Sequence, residues 1–285
     1  SELEETGTFE SSNANINKLE QNTKWSLIDN FLSVPTDCPQ RNERIGWTGD
    51  AQFFARTASY LMNVNSFMAK YMEDIKDSSN SNGNFPGGAP GFNVKDPIGG
   101  WSEAGIVIPY QMWQQYGDTS FITKNYAEMK KYVDLLLSNA MDTTYTPEYI
   151  DRPAGTGDTN SAMMYGDWLA VEHTPYAITE TAFAAYSTKL FSEMAAAVGN
   201  DEDSAKYSEL FEKYRAAWNK EFVDPQTGKT ICPTSYKYMP NGQQNGKSKW
   251  GTVYGYNDDG TAKDNSNGTV TLNGETYDIV NTQCS

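Results

Sequence analysis

Residues 37–50 read DCPQRNERIGWTGD and place three carboxylates, two arginines and an indole within one short stretch. The stretch has no apolar period, so packing alone does not explain it. Its three acids, Asp37, Glu43 and Asp50, stand close in sequence to Trp47. A sugar-cleaving site needs a proton donor, acceptors for hydroxyl groups and a flat apolar ring face. We therefore predict that this stretch carries the chemistry of the chain.

On both sides of this stretch, apolar residues recur at helical spacing. Ser12 is the predicted cap of a helix that runs to about Leu32. One long helix is predicted from Thr48 or Asp50 to about Asp77, with the Thr48 side chain accepting from free backbone amides and Asp50 complementing the helix dipole. The other helices are predicted over about 103–116, 120–141, 176–198 and 202–222, which makes about six in all.

Two long loops, 78–100 and 142–175, separate these helices, and the first is rich in Gly, Pro and Asn. Loops of this length inside compact domains tend to shape a binding site. Short turns alternate with the long loops along the chain, a pattern typical of α-hairpins stacked around an axis. We expect an all-α fold in which the long loops gather at one end.

The last part of the chain changes character. Beyond residue 223, Tyr, Thr and Val alternate with Gly-containing turns, and short strands are predicted at Val253–Tyr256 and Val270–Leu272. Asn273-Gly274 is a typical hairpin turn. We expect residues 1–285 to form a single partial domain, with helices mainly over 12–222 and an irregular, β-hairpin-like segment over 223–285.

Composition limits the possible partners. The 285 residues carry a net charge of −15, and the longest basic run is a Lys-Lys pair, which disfavours nucleic acids and anionic membranes as partners. Aromatic residues make up 13% of the chain, which suits stacking on a neutral sugar as well as core packing. The sequence has no stretch as long and apolar as a transmembrane helix.

Metal and nucleophile chemistry find little support. His173 is the only histidine, and the three cysteines, Cys38, Cys232 and Cys284, share no CxxC spacing. Cys232 and Cys284 can pair in an oxidising compartment, while three reduced thiols fit a cytosolic protein equally well. Residues 257–264 contain four acidic or amide side chains but lack the spacing of a calcium loop. We expect neither a metal nor another cofactor.

A family resemblance rests on six blocks of sequence. Residues 37–52 resemble the signature of the bacterial α-L-rhamnosidases of glycoside hydrolase family 78. Five further blocks resemble that family in the same order along the chain: TGTFE at 6–10, NFLSVPT at 30–36, GWSEAGIVIP at 100–109, YGD at 116–118 and GDWLA at 166–170. One short motif is a weak signal, whereas six in register are specific.

The resemblance implies part of an (α/α)6 toroid that releases terminal L-rhamnose from glycosides or polysaccharides with inversion of configuration. It implies that Glu43 is the general acid and that Asp37 and Asp50 hold rhamnose hydroxyls. The residues expected to complete the sugar pocket are Arg41, Trp47, Trp101, Asp167 and Trp168. The chain departs from the family at Asn42, where an Asp is usual, and this lowers the local negative charge.

A general acid must hold its proton near the working pH, so the pKa of Glu43 has to exceed the usual value of about 4.3. Asp37, Asp50 and burial against Trp47 would raise that pKa. Arg41 and Arg44 would lower it, so we predict that both guanidinium groups point away. The alternative is a solvated loop acid that pairs with Arg41 or Arg44.

Inversion also needs a second carboxylate, about 6.5–9.5 Å from the acid, to activate water. The resemblance puts this base downstream of the GDWLA block, and no matching stretch precedes Ser285. We therefore expect the chain to be the first half of a catalytic domain, inactive alone, that self-associates through exposed inner helix faces. Candidate substitutes for the base are Glu103, Asp167 and Glu172. Two alternatives stay open: a module that binds sugar without turnover, and another hydrolase or lyase on the same toroid.

Overall fold

The computed structural model describes residues 3–91, 99–139, 176–233 and 268–279. These residues form seven helices and three short strands. The helices are α1 (Ala14–Asn30), α2 (Thr48–Leu61), α3 (Asn65–Asp77), α4 (Ala104–Tyr116), α5 (Ser120–Asn139), α6 (Tyr176–Ala197) and α7 (Asp201–Phe222). The strands are β1 (Ile231–Pro233), β2 (Thr269–Leu272) and β3 (Glu275–Ile279). The described part of the chain is mostly helical, as predicted.

The first helix begins one residue later than the sequence suggested. Asn13, not Ser12, caps α1, because its side-chain oxygen accepts from the backbone N–H of Asn15 at 2.9 Å. At the far end of α4, Gly117 adopts φ 68° and donates its N–H to the Trp113 carbonyl at 2.8 Å. A left-handed residue at this position ends a helix, so the predicted stop at Gly117 is confirmed.

The predicted long second helix is wrong, because the chain breaks it into α2 and α3 at Met62–Val64. Met62 is extended, and Asn63 donates its N–H to the Glu4 carbonyl at 2.8 Å. The Tyr116 hydroxyl lies 3.0 Å from the N–H of Val64 and 3.3 Å from the Met62 carbonyl. The N-terminal segment and α4 therefore satisfy the backbone groups that a continuous helix would have paired internally.

By contacts, the chain separates into two compact units. The first contains the described residues of 3–91, 101–132 and 190–204. Its core includes the facing sides of α2, α3 and α4, where Ala55, Met68 and Ile106 are fully buried. Within this unit Asp203, 7% exposed, accepts from the Tyr126 hydroxyl at 2.8 Å and pairs with Lys130. The hydrogen bonds of this buried carboxylate offset the cost of desolvating it.

The second unit contains the described residues of 99–100, 133–139, 176–189, 205–233 and 268–279. Its strands form an antiparallel sheet in the order β1-β3-β2. Asn273 and Gly274 join β2 to β3 with φ values of 51° and 86°. Positive φ at both turn residues matches the twist of a two-residue hairpin, so the predicted Asn-Gly turn is confirmed. The predicted strand at 253–256 lies outside the described residues.

An apolar groove lies in the first unit between the N-terminal segment, α1 and α2. Its volume is about 420 Å³, and its walls include Phe9, Leu19 and Tyr60, which are 51%, 65% and 53% exposed. Tyr60 stands ten residues after Asp50 on α2, which is about 15 Å at the helical rise. The groove is thus separate from the start of α2. No helix among the described residues is both long enough and apolar enough to cross a membrane.

Candidate active site

The acidic stretch is anchored by its glycine. The Gly46 carbonyl accepts from the Tyr71 hydroxyl at 2.7 Å and from the N–H of Ala89 at 2.9 Å. A Cβ atom on Gly46 would lie 2.4 Å from the Ala89 carbonyl oxygen, so the two segments approach this closely only because residue 46 has no side chain. The stretch is therefore fastened to α3 and to the loop segment before residue 91.

The next two residues tie the same loop to the start of α2. Trp47 forms an isolated bridge with Gly88, and the Thr48 hydroxyl lies 3.0 Å from the Pro86 carbonyl and 2.8 Å from that of Gly87. The prediction that the Thr48 side chain caps α2 is wrong, because its hydroxyl donates to this loop and the N-cap position is Trp47. The expectation that loop 78–100 helps to shape a site is supported here.

Glu43 has a donor on each carboxylate oxygen. Its Oε1 accepts from Trp47 Nε1 at 2.8 Å, while its Oε2 accepts from Arg41 Nε at 2.8 Å and also from Arg41 Nη2. The indole hydrogen bond first, and the Arg41 guanidinium next to it, hold the pKa of Glu43 below its usual range, although burial acts in the opposite direction. These two donors therefore favour the ionised form of the carboxylate.

The prediction for Arg41 is therefore wrong, as is the expected rise in the pKa of Glu43. Arg41 and Glu43 are two residues apart, and the chain bends at residues 41–42, next to this contact between guanidinium and carboxylate. Arg44 follows the prediction, since its Nε lies 3.4 Å from the Pro39 carbonyl. Its φ of 53° turns the chain immediately before Ile45.

Asp37 and Cys38 complete one side of the site. The side-chain ligand atoms of Asp37, Cys38 and Glu43 all lie within 4.8 Å of one another. A hydrogen bond to the Asp37 carboxylate, helped by burial, raises the pKa of the Cys38 thiol. The hydrogen bond between Cys38 and Asp37 accounts for the close approach of these groups. Asp37 Oδ1 is buried and has no hydrogen-bond partner in the described structure.

Asp50 differs from Glu43 in its electrostatics. It lies in the first turn of α2, and the residue keeps exposed surface. The protein around its carboxyl nevertheless removes enough water to raise its pKa, and the charges of Asp37 and Glu43 add to that rise. The three acids of the stretch therefore interact, as predicted. The pKa of Asp50 is thus shifted upward, whereas that of Glu43 is shifted downward.

Trp101 packs on the same helix end. A Cβ atom placed on Gly49 would lie 2.8 Å from Trp101 Cε2 and Nε1, so the indole rests directly on the backbone of α2. The structure thus places Trp101 against the start of α2, beside the acidic stretch, and its role as a wall of a sugar pocket stays a prediction. Glu103, in contrast, is 1% exposed and accepts from the Tyr132 hydroxyl at 2.9 Å. Such burial fits a structural acid better than a base that must contact water.

Four of the residues considered from sequence, Asp167, Trp168, Glu172 and His173, lie outside the described residues. Tyr71, whose hydroxyl donates to the Gly46 carbonyl, is not among the site residues predicted from sequence. Tyr71 is 0% exposed within the apolar pattern of α3, and a tyrosine in such a pattern is usually assigned to the core. The one sequence feature that could have indicated this role is the tyrosine hydroxyl, since a buried hydroxyl needs a hydrogen-bond partner.

The acids and indoles of the site lie in or beside the segments that connect successive helices: Asp37, Glu43 and Trp47 come between α1 and α2, and Trp101 comes between α3 and α4. Residues 4–246 match the family described as the bacterial alpha-L-rhamnosidase 6 hairpin glycosidase domain. The chain belongs to that family.

Relatives in sequence and structure agree with this assignment. The chain is 37% identical over 236 residues to an alpha-L-rhamnosidase of Streptomyces avermitilis, covering 82% of this chain and 21% of that protein. It is 32% identical over 248 residues to one of Formosa agariphila, covering 84% of this chain and 25% of the relative. The chain thus spans about a quarter or less of the length of these relatives.

Two solved structures share the fold. The alpha-L-rhamnosidase of Streptomyces avermitilis complexed with L-rhamnose has a TM-score of 0.70 at 34% identity, over 81% of this chain and 21% of that one. The enzyme from Dictyoglumus thermophilum has a TM-score of 0.68 at 33% identity, over 79% and 24% of the two chains. These neighbours confirm the predicted family and the predicted toroidal helical fold.

Proposed function

We propose that this chain forms the acid-bearing part of an α-L-rhamnosidase that removes terminal L-rhamnose from glycosides or polysaccharides with inversion. The observation that carries the proposal is the junction of three interacting carboxylates with Trp47, whose indole N–H is bonded to Glu43. Support also comes from the Streptomyces avermitilis relative, which was solved with L-rhamnose.

Each residue has a proposed role. Glu43 donates a proton to the glycosidic oxygen, and Asp37 accepts a sugar hydroxyl. The buried Asp37 Oδ1, unpaired in the described structure, supports the second role because a buried acceptor needs a donor. Asp50 and Arg41 bind further hydroxyl groups, and Trp47 and Trp101 form apolar walls. Asp167 and Trp168 are proposed to complete the sugar pocket.

The general base stays the open part of the mechanism. Inversion needs a carboxylate about 6.5–9.5 Å from Glu43 that can reach water. Glu103 is buried and bonded to Tyr132, so we propose that the base lies elsewhere in the complete enzyme. The chain alone is then expected to bind sugar but not to cleave it.

Substitution of Glu43 tests the assignment. The assay uses the shortest polypeptide that contains this chain and hydrolyses aryl α-L-rhamnosides. In that polypeptide, Glu43→Gln should lower the hydrolysis rate of a rhamnoside with a poor leaving group by about 10²–10⁴-fold. The rate on a good leaving group should fall much less, because its departure needs little protonation. Glu73→Gln, on the exposed side of α3, is the matched control. Little loss on either substrate would contradict a proton-donor role.

Asp50→Asn tests whether Asp50, rather than Glu43, is the proton donor. If Asp50 only binds hydroxyls, its loss should lower the rate on both substrates by the same factor. A loss that grows with the pKa of the leaving group would instead make Asp50 the proton donor, which its raised pKa in this state would favour.

A second candidate function is a module that binds L-rhamnose without turnover. The hydrogen bonds from Trp47 and Arg41 support it, because they favour the ionised form of Glu43, and a carboxylate cannot donate a proton. Quenching of tryptophan fluorescence by L-rhamnose, with no hydrolysis of a chromogenic rhamnoside by any longer polypeptide, would select this function.

We also propose that residues 1–285 form one partial domain that self-associates. Large apolar side chains are exposed on α1 and α2 and after α1, including Trp25 at 57%, Leu32 at 62% and Phe53 at 69%. Exposed apolar surface of this kind favours association with a second copy. Light scattering at increasing concentration should show a rising mass that Phe53→Glu reduces, and a constant monomer mass would refute it.

A further inference from the structure

We propose that Tyr71 is a positioning residue of the candidate active site. Its hydroxyl, on α3, fixes the backbone at Gly46 and thereby sets where Trp47 and Glu43 lie. The expected effect on the reaction rate rests on the proposed function, whereas the positioning itself is measured without any substrate.

Glu43 lies in a loop whose two ends are joined next to Gly46. The N–H of Asp37 donates to the Ile45 carbonyl at 3.2 Å, which closes this loop. Gly46 follows directly, and its carbonyl accepts from the Tyr71 hydroxyl at 2.7 Å. A shift of the backbone at Gly46 would therefore move the base of the loop that carries Glu43.

The same hydrogen bond orients the indole that contacts the acid. The carbonyl that Tyr71 holds belongs to the planar peptide unit between Gly46 and Trp47, so the bond fixes the orientation of that plane. Trp47 Nε1 donates to Glu43 Oε1 at 2.8 Å. Hydrogen bonds of this type weaken beyond about 3.2 Å, so a displacement of roughly 0.5 Å is enough to weaken this one.

Tyr71 is a rigid donor that keeps its proton. It is 0% exposed, and Met72 and Ile75 on the same helix are also buried. Burial raises the pKa of the Tyr71 hydroxyl, and the charges of Asp74 and Asp50 add to that rise. The hydroxyl therefore stays protonated well above neutral pH and remains a donor to the carbonyl.

The tyrosine ring also packs directly on the acidic stretch. A Cβ atom on Gly46 would lie 3.3 Å from Tyr71 Cε2 and 3.4 Å from the hydroxyl oxygen. The Ala89 N–H is a second donor to the Gly46 carbonyl, at 2.9 Å. Loss of the hydroxyl alone should thus shift the peptide plane without releasing the stretch from the fold.

NMR of the 285-residue chain tests the positioning directly. Tyr71→Phe removes the hydroxyl and keeps the ring, and the indole N–H resonance of Trp47, assigned with Trp47→Phe, reports the result. A weaker hydrogen bond to Glu43 deshields the indole proton less, so its resonance should move to lower chemical shift. The pKa of Glu43 should rise in the same variant, because the indole hydrogen bond lowers it.

Tyr116→Phe is the matched control. Its hydroxyl also bonds backbone groups of another segment, Val64 and Met62, but it does so at the far end of α2. Each variant should raise the equilibrium constant of unfolding by up to about tenfold, the usual effect of one lost hydrogen bond. The Trp47 resonance and the pKa of Glu43 should change only in Tyr71→Phe, which separates positioning from a general loss of stability.

The second measurement uses the shortest polypeptide that contains this chain and hydrolyses aryl α-L-rhamnosides. Tyr71→Phe should lower kcat for a rhamnoside with a poor leaving group by about tenfold and change KM less, because misplacing a catalytic group acts mainly on the transition state. Tyr116→Phe should leave kcat unchanged. Unchanged signals of Trp47 and Glu43 in Tyr71→Phe, or shifted signals with an unchanged kcat, would overturn the positioning role. If Glu43→Gln instead keeps its rate, the proposed function fails, and the shift of the Trp47 resonance still decides whether Tyr71 places the indole.

Discussion

Gly49→Ala is the most informative single substitution at the site, because Gly49 is where α2 meets Trp101. The added Cβ would lie 2.8 Å from Trp101 Cε2 and Nε1 and 2.9 Å from Cδ2, whereas ordinary contacts are 3.4–4 Å. The indole must therefore retreat by at least about 0.6 Å to reach ordinary contact. These atoms belong to the rigid ring system, so no flexible end can absorb the shift.

Two effects of this substitution oppose each other. Replacing Gly by Ala within a helix stabilises it by up to about 1 kcal/mol. Overpacking of a close contact costs about 1–3 kcal/mol. The expected net result is a loss of about 0–2 kcal/mol in the free energy of unfolding. Displacing Trp101 should also remove about 1 kcal/mol of ring stacking on a sugar, which weakens L-rhamnose binding roughly fivefold.

A double-mutant cycle checks the cause. In a Trp101→Ala background the contact is gone, so Gly49→Ala should be neutral or stabilising in urea unfolding, and the two substitutions should be clearly non-additive. In the Trp101→Ala background, Gly49→Ala should therefore leave the affinity for L-rhamnose unchanged. A Gly49→Ala chain that is about 1 kcal/mol more stable than the parent, with unchanged affinity, would refute the contact and the role of Trp101 in the wall.

Three further predictions concern charge and hydrogen bonding. Trp47→Phe removes the indole donor from Glu43 Oε1, so NMR titration should show a higher pKa for Glu43, and no change would argue against the hydrogen bond. Asp50→Asn should raise the thermal midpoint at pH 7. Because burial raises the pKa of Asp50, its stabilising contribution is present below the unfolded value of about 3.9 and is lost as the pH rises through the folded value. The gain in thermal midpoint from Asp50→Asn should thus disappear at acidic pH. A gain that grows as the pH falls would contradict a raised pKa for Asp50. Asp203→Ala removes the acceptor of Lys130 and Tyr126 and should cost about 3 kcal/mol in urea unfolding, whereas a loss below about 1 kcal/mol would mean that the pair is solvated.

Local sequence rules predicted those parts of the fold that short-range geometry determines. The Asn273-Gly274 turn and the stop at Gly117 follow from backbone conformations that few residues adopt, so the residue type is nearly sufficient. The break between α2 and α3 does not follow from such rules. Met62 and Val64 fit the apolar pattern of one helix, and only the distant partners Glu4 and Tyr116 make the extended conformation favourable.

The same distinction applies to the start of α2. From sequence alone, Thr48 is a good candidate for a capping residue. In the fold its hydroxyl instead contacts the carbonyls of Pro86 and Gly87, nearly forty residues away. Long-range contacts also explain Tyr71 and Gly46, whose partnership depends on how α3 approaches the loop. Residue types identified the stretch, but its anchoring depends on tertiary structure.

Glu43 shows that predicting which residue lies in the site differs from predicting the pKa of that residue. The sequence correctly brought Asp37, Glu43 and Asp50 into one interacting group, and it required a raised pKa at Glu43 because the proposed reaction does. That requirement comes from the proposed reaction, not from the neighbours of Glu43 in the fold. In the structure the hydrogen bonds from Trp47 and Arg41 lower the pKa of Glu43, and burial, which raises it, does not outweigh them. The direction of the shift therefore depends on where one indole and one guanidinium lie, and residue types alone do not determine those positions.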